Sequence, residues 1–455
     1  MNSLKKCLAL FFVLCLTLMS AACAQTGESL KNDIAPFGAP EKGLYPGSSR
    51  FDSVGGADYE SGVFDSPAET EGEAPAEAPD DGQIVRPAGL ITAAAWNENW
   101  HYDFWKSLFA KGQTEEENGK FVEFYEKDRW GFDSTRRVSV RVKQGDTPVC
   151  GAIVTCTDDS GAERFAAKTG ADGIAYLFPE ISDGTIKVKS GAFIAETSFS
   201  SEIADVEIQL DGAEARQNKI RLMLVIDVTG SMGDELTYLQ TELADVINRV
   251  AVANGEARID LALLFYRDDD DIEKFAYYDF VNVNTTEGLN KQLKNLRGQQ
   301  ADGGGDIPEA VDEALELAMS KAWGDDNSTK IIFHVLDAPP HSNSHNSQRN
   351  YEQRFEAAVR KAAGMGIRLC PILCSGADLL CEYLVRQEAI YTGGTFIFVT
   401  DDSGIGNAHL DPNIPDAVVE KLNDLMVRVV DGYHTGTFAD PVPWESPEQE
   451  PAKSN

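Results

Sequence analysis

Positive charge is what this 455-residue sequence has least of: 40 Lys and Arg stand against 74 Asp and Glu, a formal net charge of −34. The imbalance argues against nucleic acid and anionic membrane surfaces as partners. It favours cations, or a protein with basic patches around its contact site. Several chemical signatures are also missing. No G-x-S-x-G, H-E-x-x-H, P-loop or G-x-G-x-x-G occurs, which removes the usual signs of hydrolase, zinc-protease or nucleotide chemistry. No C-x-x-C pair is present either. Beyond the N-terminal stretch the cysteines are Cys150, Cys156, Cys370, Cys374 and Cys381, an odd set that leaves at least one free thiol. Cys370 and Cys374 sit on one expected strand, about 13 Å apart and too far to bond. Cys374 and Cys381 have a possible geometry across a strand-to-helix loop, but buried free thiols are the default. After the first residues, no run reaches the roughly 20 apolar residues needed to span a bilayer.

Those first residues read as an address, not as fold. Lys5 and Lys6 precede an apolar run from Cys7 to Met19 and then Ser20-Ala21-Ala22-Cys23. This predicts a secretory signal over 1–22. The Cys after Ala-Ala resembles the lipobox of bacterial lipoproteins, although Ser20 stands where Leu is usual. The resemblance implies acylation of Cys23 and a lipid anchor at the bacterial cell envelope or surface. From 23 to 88 the chain is rich in Glu, Asp, Ala, Pro and Gly, with no Lys or Arg between Phe51 and Val85. Such a composition buries no core and repels itself, so a disordered acidic tether is expected.

Residues 89–136 are aromatic-rich, with Trp100, Phe104 and Leu108 at helical spacing, and predict a helical segment packed onto a neighbour. An aromatic stripe of this kind is more often core than a carbohydrate platform. At Val138, Val140 and Val142 the pattern turns to alternation, with turn signals at Gly145-Asp146, Ser160-Gly161, Asp172-Gly173 and Asp183-Gly184. A small all-β sandwich over 137–212 follows. Gly145 to Val154, Thr169 to Gly173 and Phe178-Pro179 resemble the carboxypeptidase-regulatory-like, transthyretin-type sandwiches of bacterial surface proteins.

From 218 to 433 strands and helices alternate, with strand candidates Leu222–Asp227, Ile259–Tyr266, Ile331–Leu336, Ile367–Cys374 and Thr395–Val399. The expected fold class is therefore α/β, a doubly wound, mostly parallel sheet whose ligands bind at the carboxyl ends of the strands. Residues 434–455 read as a tail. Three loops at that edge carry chemistry. Asp227, Thr229 and Ser231 present oxygens at alternating positions after the first strand, a set suited to Mg²⁺ or Mn²⁺; the plainer reading is a helix cap. Gly303-Gly304-Gly305-Asp306-Ile307-Pro308-Glu309 allows close backbone approach, though Asp306 and Glu309 also fit an acidic capping box. Asp337 ends another buried strand. The run Asp268 to Asp271, at the same edge, is expected to be a solvated loop that would repel acidic partners away from a metal.

Together the three loops resemble a von Willebrand factor type A (vWA) domain, a Rossmann-like fold, with its metal-ion-dependent adhesion site. Asp227, Thr229 and Ser231 match D-x-S-x-S with Thr in place of Ser, and Asp337 matches the Asp that ends the fourth strand. The middle loop departs from the common Thr and is closer to the D-x-P-E loop of integrin β-subunits, so Asp306 and Glu309 compete for one role. The resemblance implies a divalent metal, a protein ligand that supplies an Asp or Glu to it, and adhesion rather than catalysis. Two alternatives stand beside it. One is a metal-dependent hydrolase or phosphatase on a similar sheet, weakened because Thr229 replaces the second acid of D-x-D. The other is a scaffold whose metal site has no function. His341 and His345 lie in a Ser/Asn-rich loop and are not expected to bind zinc.

Overall fold

In the computed structural model the described residues are 87–127, 129–200, 204–305, 307–412 and 414–445. The expected signal, Cys23, nearly all of the tether, Asp306 and the end of the tail lie outside them. The strands in chain order are β1 (Thr92–Trp96), β2 (Val138–Gln144), β3 (Thr147–Pro148), β4 (Ile153–Thr157), β5 (Glu163–Lys168), β6 (Ile174–Leu177), β7 (Asp183–Ser190) and β8 (Phe193–Ser200). They continue with β9 (Asp205–Gln209), β10 (Lys219–Asp227), β11 (Arg258–Tyr266), β12 (Phe275–Asn282), β13 (Thr329–Leu336), β14 (Ile367–Leu373), β15 (Phe396–Val399) and β16 (Val419–Lys421). The helices are α1 (Tyr102–Ser107), α2 (Val122–Lys127), α3 (Leu236–Ala253), α4 (Thr286–Arg297), α5 (Val311–Met319), α6 (Tyr351–Met365), α7 (Leu379–Thr392) and α8 (Leu422–Thr435).

Eight strands form one sheet in the order β12-β11-β10-β13-β14-β15-β1-β16. Strands β11, β10, β13, β14 and β15 run parallel, while β12 joins β11 antiparallel and β1 joins both β15 and β16 antiparallel. Every residue of β13 and β14 is buried, as expected of parallel strands covered on both faces. The period-2 alternation divides β10 between two cores. Met223 and Val225 pack with residues of α5, α6 and α7, whereas Leu222, Leu224 and Ile226 pack with α3, α4 and α8. The chain is thus a mixed α/β fold with a large, mostly parallel sheet. Its strand order reverses direction at β10, beside β13, and this switch point is where such sheets bind ligands.

Strands β2 to β9 make two further four-stranded sheets, β3-β2-β6 with β9 on β2, and β5-β4-β7-β8. Their facing residues, among them Val140, Leu177, Val154 and Ile186, belong to the same apolar cluster as α6 and α7. Phe178 stacks on Tyr391 of α7 with ring centroids 4.5 Å apart.

The aromatic-rich stretch 89–136 differs from its sequence reading. It carries the short helices α1 and α2, but it opens with β1, a strand paired on both sides, between β15 and the edge strand β16. Ala93, Ala94 and Ala95 favour helix in isolation, and sheet pairing overrides that preference. The aromatics are core: Phe109, Phe121 and Phe124 surround Tyr383 of α7. All five described cysteines are free, so Cys374 and Cys381 are not bridged. No helix among the described residues is long and apolar enough to cross a membrane.

Helix α7 is buried continuously from Cys381 to Thr392 even though it contains Glu382, Arg386, Gln387 and Glu388. Charge pairing makes this tolerable. The Arg386 guanidinium donates to Glu98 Oε1 at 2.6 Å and to Glu382 Oε1 at 2.8 Å, and Lys120 Nζ lies 2.7 Å from Glu382 Oε2. Removing one partner strands a buried charge. Replacing Arg386 with Met should therefore cost about 3–5 kcal/mol, read as a lower urea midpoint by circular dichroism. An unchanged midpoint would contradict the role given to this cluster.

Candidate metal centre

The switch-point edge brings three loops together through backbone bonds. Asp302 N–H donates to Val228 O at 3.0 Å and Gly230 N–H to Gly303 O at 3.1 Å, closing the glycine-rich loop onto the loop after β10. Glu309 N–H donates to Pro339 O at 3.0 Å, tying the same loop to the one after β13. Gly303 and Gly304 have φ of +77° and +75°, conformations that favour glycine. A Cβ on Gly303 would lie 2.4 Å from Asp271 Oδ1, and one on Gly304 would lie 3.0 Å from Glu309 Oε1 and 3.3 Å from Thr229 Cβ. The loop is glycine-rich because other loops press against its backbone.

Asp227, the last residue of β10, is fully buried. Its Oδ1 accepts from Thr229 N–H at 2.8 Å and from Thr229 Oγ1 at 2.7 Å, and Thr229 Oγ1 lies 3.1 Å from Ser231 Oγ. Ser231 is exposed at the mouth. The buried oxygens Asp227 Oδ2, Asp337 Oδ1 and Glu309 Oε2 have no hydrogen-bond partner. Burial disfavours their charged forms, and repulsion adds to it at Asp337 and Glu309. Burial pushes Asp227 up to about 6. Burial and the charge of Asp227 push Asp337 up to about 7, and push Glu309 up to about 10 with the help of Asp268, Asp337 and Asp271.

The capping roles are not those taken. Helix α5 begins at Val311 with Ala310 at its N-cap and no side-chain cap, so Glu309 lies ahead of the helix and its carboxylate turns into the site. A 3₁₀ turn, Gly230–Asp234, contains Ser231 and separates Asp227 from α3, which also has no side-chain cap. Asp227, Thr229, Ser231, Glu309 and Asp337 are brought together; Asp306 lies outside the described residues.

The Asp268 to Asp271 run is not the solvated loop expected. Asp268 is buried, with Oδ1 2.7 Å from His341 Nε2. Asp269 pairs with Lys274 and accepts from Tyr351 Oη at 2.7 Å. Asp271 Oδ2 accepts from Gly304 N–H at 2.9 Å. Only Asp270 is exposed. Asp271 thus holds the glycine-rich loop, while Asp268 and Asp269 bond side chains. His341 and His345 have ring centroids 4.4 Å apart. Glu235 was also unmarked in the sequence reading: its Oε1 accepts from Ser375 N–H at 3.1 Å beside Asp337.

No group of three or more His, Cys, Asp or Glu side chains among the described residues is arranged to hold a metal by itself. A cation here would depend on the Thr229 and Ser231 hydroxyls and on water as well as carboxylates, a mixture Mg²⁺ accepts because it keeps several waters.

Residues 221–355, which span every one of these loops, match the family model described as von Willebrand factor A domain. The chain therefore contains a vWA domain. Among curated proteins it is 30% identical over 219 residues to a putative ariadne-like RING finger protein of Acanthamoeba polyphaga mimivirus, covering 47% of this chain and 20% of that protein. It is 25% identical over 223 residues to an alpha-protein kinase of Dictyostelium discoideum, covering 48% of this chain and 35% of that one. The chain thus spans a fifth to about a third of these relatives. Among solved structures, BatB from Bacteroides thetaiotaomicron aligns with 11% identity and a TM-score of 0.28 over 39% of this chain and 89% of its own.

The raised carboxyl groups set a pH dependence. Folded Asp227 and Asp337 hold protons that the unfolded chain has released, so they stabilise the metal-free fold at low pH and this stability is lost as pH rises through about 6 and about 7. In EDTA the melting temperature should fall by several degrees between pH 5 and 8. An Asp227→Asn/Asp337→Asn variant should fall measurably less, since its amides do not titrate. Parallel slopes by differential scanning calorimetry would contradict this.

Proposed function

We propose that the vWA domain binds Mg²⁺ or Mn²⁺ and, through that ion, a protein partner that presents an Asp or Glu. The observation carrying this reading is the trio of buried, unpartnered carboxylate oxygens on Asp227, Glu309 and Asp337 beside the Thr229 and Ser231 hydroxyls. Left alone, such oxygens are costly; a hard divalent cation satisfies them together. Asp227, Thr229, Ser231 and Asp337 would hold the ion, with Glu309 or Asp306 as the middle-loop ligand. When bound, the ion offers a coordination position to an incoming carboxylate.

The chain's own groups would do the rest. The glycine-rich loop fixes the spacing of the Asp227 and Asp337 loops, and the exposed Ser231 marks the mouth that a partner would reach. The acidic surface would disfavour carboxylates elsewhere, concentrating an acidic contact at the ion. We read the domain as a binding module rather than an enzyme, because Thr229 occupies the place of the second acid that phosphoryl or acyl chemistry would need. In the same reading Cys23 carries a lipid, 23–88 is the tether, the sheets of 137–212 are a transthyretin-type spacer, and the protein stands at the bacterial envelope.

Isothermal titration of the full chain with MgCl₂ and MnCl₂ should show saturable binding that Asp227→Ala abolishes. Absence of heat in a folded wild type would sink the reading. Replacing Cys23 with Ser should move the protein from the membrane to the soluble fraction on cell fractionation; an unchanged distribution would remove the anchor.

A further inference from the structure

Behind the metal-centre loops runs a polar chain that neither the fold nor the proposed ligand set requires. Strand register creates it. Asp227 pairs with Tyr266 on β11, and Val225 with His334 on β13. Residues in register share a face, as do residues two apart, so Tyr266, Asp227, Val225 and His334 line one side of the sheet. Tyr266 reaches across β10, and its hydroxyl lies 3.3 Å from His334 Nε2. The other ring nitrogen, Nδ1, lies 3.0 and 3.2 Å from the two carboxyl oxygens of Glu388 on α7. Tyr266, His334 and Glu388 are all fully buried.

Around them the face is Met223, Val225, Leu264, Ile332 and Leu336, where apolar residues would fill the space at less cost. A carboxylate only accepts, so Nδ1 carries a proton toward Glu388 and the ring orientation is set. His334 Nε2 then fixes the Tyr266 hydroxyl, and in reaching across β10 the Tyr266 side chain passes beside Asp227, its register neighbour on the same face. Groups outside the ligand set that hold a ligand's neighbours in place help aim it and set its affinity.

We propose that Glu388, His334 and Tyr266 are positioning residues that hold the Asp227 carboxylate in the orientation needed for the cation. This rests on the cation reading above. The consequence is that cation affinity depends on α7, the buried helix also gripped by Phe178 and by the Arg386 cluster.

The test is titration of the full chain with MnCl₂ and MgCl₂, alongside metal-free melting, for wild type, Tyr266→Phe and Glu388→Gln. A packing control, Val359→Ala on α6, should lower the metal-free melting temperature and leave Kd unchanged. Both chain variants should weaken Kd by roughly 10- to 100-fold, beyond anything their loss of melting temperature brings in the control. Either variant keeping the wild-type Kd would overturn the positioning role while the cation reading stands. A wild type that binds neither ion overturns both. Should Tyr266→Phe not fold, the isosteric Glu388→Gln decides alone.

Discussion

A buried carboxylate oxygen without a hydrogen-bond partner is expensive, and at this one sheet edge Asp227, Glu235, Glu309 and Asp337 each carry one. Each could have been satisfied by a backbone amide or a basic side chain, as Asp271 is by Gly304 and Asp269 by Lys274. Instead burial raises Asp227, Glu309 and Asp337, and the charge of Asp227 raises the other two further. An arrangement this unfavourable persists only where the surrounding fold over-determines it. The over-determination is visible in the backbone bonds among the three loops, in the glycines that admit them and in the parallel strands that set β10 beside β13.

The same logic runs deeper into the molecule. Helix α7 is buried along both sides and still carries charged groups, each answered by a partner from a different part of the chain. Arg386 reaches Glu98 beside β1, Glu388 reaches His334 on β13, and Tyr391 stacks against Phe178 beyond β6. The aromatic-rich segment and the smaller sheets are thereby fastened to the helix that backs the loops. They share an apolar core with the large sheet and do not stand apart from it.

Much of this was legible in the sequence, for identifiable reasons. The five central strands declared themselves because strands buried on both faces read as continuous apolar runs, and Asp227 and Asp337 stood out as acids ending such runs. Strand β1 was hidden because Ala93 to Ala95 resemble helix and acquire strand geometry only from β15 and β16. Strand β12 was hidden because most of its residues are half-buried on an edge and give no clean alternation. Asp268 to Asp271 read as surface because a run of acids usually is one; their partners Gly304, His341 and Tyr351 arrive from 33 to 82 residues away. Glu309 stood out, but its capping role required a helix starting at Ile307, and the helix starts four residues later, at Val311. The chain from Asp227 to Glu388 was invisible, because register alone brings it together.

The central claim is that these loops converge on one divalent cation, and its most direct test is anomalous diffraction from crystals of the chain grown with MnCl₂. The account predicts a single strong manganese peak bounded by Asp227, Ser231 and Asp337, absent in Asp227→Ala. A well-ordered switch-point edge with no peak there, or with manganese only elsewhere, would contradict it.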